Sequence, residues 1–356
     1  MPYVGALLTL GDLPAAERVL AASGCRPTGL GTAEQAVFAA RRGEFDQALD
    51  LTHRCLVTGP MLSPNASQVT MIQTAALALL ARGRIARARE LLATARETRP
   101  VLSHLLAVPA AGLAAMLGDS HRARMIVDEA IRHAATAGAV VGVDELWFAA
   151  AGLAVADHDR DRLDLCAREA EAVAAKLATD RAIMHSLLIQ AAAEPRHGVA
   201  TQALHLARRL RQPFDLALAI EHLVRVDAVR PQYLLEAYEL LGQADAVLAR
   251  ARVRTLMRER NVAVPGRQAT AEENERLLAV LVAEGLGNQQ LATVLGISRK
   301  SVESRLSRLF SREGYRCRVE LAMAMLSDQH PSPGQTTVPL LDARGPAPAP
   351  ALSSAS

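Results

Sequence analysis

The chain is 356 residues long with a formal net charge of +3, so it has room for two or more domains and a sizeable core, and its overall charge singles out no partner. Half of it is hydrophobic but only 3% is aromatic; alanine and leucine fill the apolar positions, which predicts an all-α protein of closely packed small side chains. Cys25, Cys55, Cys166 and Cys317 include no C-x-x-C pair, which argues against a zinc site or a disulfide framework and fits a reducing cytoplasm.

The N-terminus lacks the basic-then-apolar layout of a signal peptide. From there to residue 258 a unit recurs in which a turn residue is followed five positions later by a small or apolar one. The pairs are Gly11/Ala16, Gly43/Ala48, Gly83/Ala88, Gly118/Ala123, Gly198/Ala203 and Gly242/Val247, with a weaker His158/Leu163 between the fourth and fifth. Glycine tolerates the positive φ that ends a helix, and the small residue lets a second helix approach the first closely. Each such hairpin leaves an apolar face that only a neighbouring hairpin can cover, so the units should stack around a concave surface. The pattern resembles a degenerate tetratricopeptide repeat, whose period is about 34 residues; an irregular helical bundle is the alternative. The nearly uncharged run from Val101 to Gly118 holds His104 and Pro109, which favours a buried helical pair over a membrane span of about 20 strongly apolar residues.

Three stretches imitate sites and fail on chemistry. "GCRPTGLGT" has phosphate-loop glycines at Gly24 and Gly29, but Leu30 stands where a lysine must reach the phosphates. "DHDRDRLD" opens like a calcium loop at Asp157, Asp159 and Asp161, yet Arg162 and Arg168 occupy the required glycine and bidentate acid positions. Glu129 and His133 sit four apart on a helix, as surface pairs do, and no H-e-x-x-h pattern occurs. The expectation is a non-enzymatic protein with no catalytic residue, no metal site and no cofactor.

Positive charge gathers in the last third. Arginines 250, 252, 254, 258, 260 and 267 face one acid, Glu259; from Ser298 to Arg318 seven basic residues face only Glu303 and Glu313. Pro265 and Gly266 mark a linker (259–268). Beyond it, 269–328 reads as a compact helical unit. A helix from Ala271 to Glu284 buries Leu277, Leu278, Leu281 and Val282. A second, over 288–295 and capped by Asn288, offers Leu291, Ala292 and Leu295 inward. After a turn at Gly296, Ser298 caps a third helix with Val302, Leu306 and Leu309 on its inner stripe. Two short helices in this arrangement make a helix-turn-helix, whose second member enters the major groove. Its outer face carries Lys300, Ser304 and Ser307, flanked by Glu303 and Arg308 and ringed by Arg299, Arg305 and Arg312, cations suited to phosphates.

The stretch resembles the LuxR-type (GerE-like) DNA-binding domain of bacterial transcription regulators, over about 60 residues. Its pattern is met by Gly285, Asn288, Leu291-Ala292, Leu295, Ile297-Ser298, Ser301-Val302, Leu306, Leu309, Gly314, Arg318 and Glu320-Leu321. Region four of sigma factors is the competing resemblance, but it lacks the "GYRCRVEL" lead into a fourth helix, here Val319–Ser327. Departures are Glu303 for a lysine that touches DNA, Arg305 for a histidine and Glu313 for a leucine; the opening Thr and Arg-Glu pair is also displaced, with Thr270 two residues early. With repeats ahead of it, the whole is similar to the C-terminal part of large MalT-like regulators, without their ATPase module.

The resemblance implies a cytoplasmic transcriptional regulator binding double-stranded DNA, with no membrane association. Its DNA-contacting set is Asn288, Gln289, Ser298, Arg299, Lys300, Ser301, Glu303, Ser304, Arg305, Ser307, Arg308, Arg312 and Arg318. It also implies a homodimer on DNA through Leu321, Ala322 and Met325 of the last helix, and a protein or small-molecule effector on the repeats. The rival is an interaction scaffold whose helix-turn-helix no longer binds DNA. The tail from residue 329, rich in Pro, Ala and Ser, is expected to be disordered.

Overall fold

A computed structural model describes residues 2–58, 64–97, 101–194 and 197–327; the tail lies outside them. Among the described residues there are nineteen α-helices and no strand. The first ten helices form five successive hairpins. These are α1 (Pro2–Thr9) with α2 (Leu13–Ala22), α3 (Thr32–Arg41) with α4 (Phe45–Thr58), and α5 (Ala66–Ala81) with α6 (Ile85–Glu97). Then come α7 (Ala107–Met116) with α8 (Ser120–Thr136), and α9 (Val143–Asp157) with α10 (Arg160–Leu177). α11 (Asp180–Ala193), α12 (His197–Arg209), α13 (Pro213–Arg225), α14 (Leu234–Gln243) and α15 (Val247–Glu259) continue the stack. The last four are α16 (Arg267–Ala283), α17 (Asn288–Leu295), α18 (Arg299–Glu313) and α19 (Arg318–Ser327).

One closing motif builds the hairpins. At Gly11, Gly43, Gly83 and Gly118, φ is +75°, +79°, +79° and +88°. Each glycine N–H bonds the carbonyl three residues back, and the next N–H reaches five back, as in Glu44 to Ala39 at 2.9 Å. These bonds satisfy carbonyls that the helix end leaves open. His158 adopts the same left-handed geometry (φ +57°), with Asp159 N–H on Ala154 O at 2.9 Å. The following helices are capped by Asp12, Asp119 and Asp159, whose carboxylates accept from Ala15, Arg122 and Arg162 N–H at 2.9, 2.9 and 3.0 Å. Asp159 is therefore a helix cap, and Asp157 is bound by Arg124. The small residues five places on, Ala16, Ala48, Ala88, Ala123 and Ala203, are all buried, as are Leu163 and Val247.

Two anchors fall elsewhere than the repeat expects. Gly198 lies in the first turn of α12, and Gly242 lies inside α14, where the helix end is made instead by Asp245 (φ +50°). The 44-residue interval between these glycines holds α12, α13 and α14, one helix more than the earlier intervals. Further left-handed turns at Arg211 (φ +56°) and Asp227 (φ +59°) separate them. Neither turn residue is a glycine. The uncharged run after Val101 forms a 3-10 turn (Ser103–Leu106) and the single helix α7, rather than a helical pair. Among the described residues no helix is long and apolar enough to cross a membrane.

The expected concave surface is filled. Gln73 of α5 donates to Glu145 of α9 at 2.5 Å, and Glu145 pairs with Arg181 of α11 at 2.8 Å. Arg41 of α3 lies 3.5 Å from Asp215 of α13, and His185 Nδ1 lies 2.8 Å from Asp144. All but the partly exposed Asp215 are buried. The row also closes on its own start: Gln212 donates to Gly11 O at 2.5 Å, and Arg211 pairs with Glu17 at 2.7 Å. Burial, together with the Arg181 charge beside it, brings Arg41 down to about 10. Charges set this deep are retained only with partners, so each pair fixes the relative placement of its helices.

The last four helices share a core with the repeats. Leu277, Leu278, Leu281, Leu291, Val302, Leu306, Leu309 and Leu321 form one buried cluster with Ile85 of α6 and Val247 and Leu248 of α15. Leu113, Met116 and Leu117, at the end of α7, pack on its edge. Gly83 permits the approach: a Cβ there would stand 3.3 Å from side-chain carbons of both Leu277 and Leu281. Polar contacts frame the junction. Arg254, fully buried, pairs with Glu273 and donates to Asn274 at 2.7 Å. Arg276 pairs with Asp245 at 3.1 Å, and Glu284 accepts from Ala86 N–H at 2.7 Å, capping α6 from outside. The connection is shorter than the expected linker of 259–268, since α15 includes Glu259 and α16 already begins at Arg267. Gly266 (φ +66°) precedes that start, and Thr270 Oγ1 bonds Pro265 O at 3.2 Å.

Candidate nucleic-acid interface

α17 and α18 meet at a tight corner. Gly296 takes φ +63° at the end of α17, with Ile297 N–H on Ala292 O at 3.1 Å. Ser298 then enters α18 in extended geometry, its Oγ accepting from Ser301 N–H at 3.1 Å and lying 2.9 Å from Ser301 Oγ. The start of α17 is arranged differently from the expected Asn288 cap. Gly287 is the cap residue, its N–H held by Gln290 Oε1 at 3.0 Å. Asn288 is freed to accept from Arg318 at 3.3 Å.

Val302, Leu306 and Leu309 seat α18 on the shared core, so the opposite side of the helix meets solvent. Lys300, Glu303, Ser304, Arg305, Ser307 and Arg308 are all exposed there, with Arg299 beside them and Gln289 exposed on α17. Ser301 is half-buried at the helix start. Glu303 is engaged within its own helix: Arg299 Nε donates to it at 3.0 Å across one turn, with both side chains about half exposed or more. Arg308 Nε reaches Ser304 O at 3.4 Å, a weak contact. Lys300, Arg305 and Arg308 form no ion pair among the described residues. Arg305 is held below its ordinary value by partial burial and by the charges of Arg308 and Arg258. This face is a dense, under-neutralised cationic surface, and a surface of like charges attracts a polyanion.

Arg312, Arg318 and Asn288, three residues of the expected DNA-contacting set, also make contacts within the protein. Arg312 pairs with Glu275 of α16 and, at 2.7 Å, with Glu313, and these carboxylates raise its pKa. Arg318 reaches across to Leu286 O and Asn288, where burial lowers its pKa. These bonds tie the end of α18 to the middle of α16 and the start of α19 to the α16–α17 corner. Leu321, expected at a dimer contact, is buried in the core with α16 as its neighbour, because the apolar stripe of α19 faces inward. Ala322 and Met325 are half-buried; the outer apolar positions of α19 are Val319, 67% exposed, and Met323, 60% exposed.

A cleft of about 330 Å³ opens where the α14–α15 turn meets α16, lined by Tyr238, Asp245, Arg250, Gly266, Glu273 and Arg276 among others. The Arg250 guanidinium lies over the Tyr238 ring at 3.9 Å. Among the described residues, no group of three or more His, Cys, Asp or Glu side chains is placed to hold a metal ion. No protein-family model matches the chain, and no curated protein matches it.

Proposed function

We propose that the chain is a DNA-binding transcriptional regulator, in which a tetratricopeptide-like array carries a LuxR-type helix-turn-helix and α18 lies in the major groove. The observation that carries this reading is the exposed face of α18, where Lys300, Arg305 and Arg308 stand without carboxylate partners on a helix seated by Val302, Leu306 and Leu309. At the junction, by contrast, Arg254 is matched by Glu273 and Arg276 by Asp245. Charge left unmatched on one helix face suits a phosphate backbone, and the serines between the cations suit base edges and phosphates. Glu303 reads as a specificity element: leaving Arg299, it accepts from the amino group of cytosine. The repeats, sharing a core with the helix-turn-helix, are the receiving end for an effector, and the junction cleft beside Tyr238 and Arg250 is where such a ligand would alter the docking.

The test is a pair of charge reversals, Lys300→Glu and Arg308→Glu, in the full chain. Each removes a cation from the groove face without touching the core, so duplex binding should weaken at least about fivefold per variant at physiological salt, and about twenty-fivefold when both are combined. Unchanged binding would remove α18 as the interface.

A further inference from the structure

We propose that the junction cleft binds a small organic carboxylate, its charge held by Arg250 of α15 and Arg276 of α16 and its apolar body against Pro265 and Ala269. This rests on the effector reading of the cleft and names the chemistry of the ligand; it does not depend on DNA binding.

Gly242 makes the site possible. It stands in the last turn of α14, where glycine weakens a helix, and it does not close the hairpin, since the left-handed turn falls at Asp245. What it provides is room. A Cβ at this position would lie 2.9 Å from Arg250 Cζ and 3.1 Å from its Nη2, so any larger residue expels the guanidinium. With glycine in place, Arg250 lies over the Tyr238 ring at 3.9 Å and donates from Nε to Tyr238 O at 3.1 Å. A guanidinium stacked on a ring and fixed through Nε has little rotamer freedom left to lose when a ligand arrives.

The charge of Arg250 is only loosely answered. Its Nη1 lies 3.4 Å from both oxygens of Glu273, against about 2.7–2.9 Å for a charge-assisted bond. Glu273 is drawn instead to the fully buried Arg254. Arg250 Nη2 makes no hydrogen bond among the described residues. Asp245, also on the cleft, pairs with Arg276 at 3.1 Å and lies 3.9 Å from Arg82, which Asp46 binds at 2.5 Å. These ion pairs join four arginines to three carboxylates and leave one positive charge unmatched. A ligand with one negative charge completes the set, and a carboxylate fits the edge of a guanidinium with two parallel bonds. The volume of about 330 Å³ suits a small organic molecule rather than a bare ion, and the exposed Pro265 and Ala269 give it an apolar edge. Arg250 belongs to the repeats and Arg276 to the C-terminal helices, so a ligand bonded to both is held only while the two parts are docked.

The experiment uses the full chain without DNA, with benzoate and hexanoate as probes and benzamide as the neutral control. Hydrogen exchange is followed by segment. A carboxylate that binds only the docked form should slow exchange in α16 by about a hundredfold at 100 times its Kd, and benzamide should leave it unchanged. Gly242→Ala, which puts a methyl where the guanidinium lies, and Arg276→Gln should each weaken carboxylate binding by about tenfold or more. The Arg276 side chain is more than half exposed, so its replacement should leave the thermal midpoint near that of the parent. If neither carboxylate slows α16, if benzamide acts as benzoate does, or if both variants bind like the parent, the proposal is overturned. A duplex titration of the parent chain separates the two readings. Duplex binding with no carboxylate effect overturns this inference alone, and carboxylate binding with no duplex binding supports the cleft and removes the DNA-binding reading.

Discussion

Replacing Ile85 with alanine asks whether the C-terminal helices are built onto the repeats. Ile85 belongs to α6, yet it is fully buried in the cluster formed by α16 to α19. Next to it, Ala86 N–H is held by Glu284 from α16 at 2.7 Å. Removing its outer carbons forfeits about 0.8 kcal/mol of transfer free energy per group, and the cavity left in a close-packed junction brings the total to about 2–5 kcal/mol. Losing 2 kcal/mol raises the population with detached C-terminal helices about thirtyfold, at about 1.4 kcal/mol per factor of ten. Hydrogen exchange resolved by segment is the assay: amides of α16 should exchange faster by about that factor, and protease should cut sooner between 260 and 266. If Ile85→Ala speeds exchange in α5 and α6 but leaves α16 untouched, the two parts fold independently and the shared core is not cooperative.

Acid should destabilise the repeats through His222. Burial pushes this imidazole down to about 4, against the ordinary 6.5, although its Nε2–H donates to Leu188 O at 3.1 Å; the ring lies edge-on to Phe148. A folded pKa below the unfolded one stabilises the fold above pH 6.5 and loses that contribution as pH falls toward 4. The loss is at most about 3 kcal/mol, reduced because the ring keeps some solvent contact, at about 1.36 kcal/mol per unit. His222→Gln should flatten the decline of the thermal midpoint between pH 6.5 and 4, and an unaltered profile would assign it to other groups. For Glu303→Lys, a base-reading carboxylate yields tighter binding to random DNA with preference lost at one operator position, a discrimination of about 1–3 kcal/mol. Equal tightening on every sequence would leave Glu303 as the partner of Arg299 alone.

Local rules carried well from residues to structure. The positive-φ glycines at 11, 43, 83 and 118, their five-residue spacing to a buried alanine, and the corner from Gly296 to Ser298 each depend on a few adjacent residues, and these stand where expected. What periodicity lacks is the identity of the partner. Leu277 and Leu281 are plainly inward-facing, but nothing local says that Ile85 and Val247 lie opposite. Glu273, Glu275 and Glu284 look like a solvated helix face, although each anchors a contact across the junction. Arg312 and Arg318 resemble phosphate ligands until those acids and the Leu286 carbonyl are placed beside them. The extra helix in the 210–246 region escaped because its turns use Arg211, Asp227 and Asp245 in left-handed geometry, where a glycine search is blind. The filled interior was hidden for a similar reason: Arg41, Glu145 and Arg181 are charged residues whose burial depends on one another.

The most direct measurement of the central claim is the affinity of the full chain for duplex DNA across a range of salt. Lys300, Arg305, Arg308 and Arg299 together offer about four phosphate contacts, for which log affinity should fall against log salt with a slope near −3.6. A flat profile, or binding too weak to follow at low salt, would contradict DNA recognition by this surface.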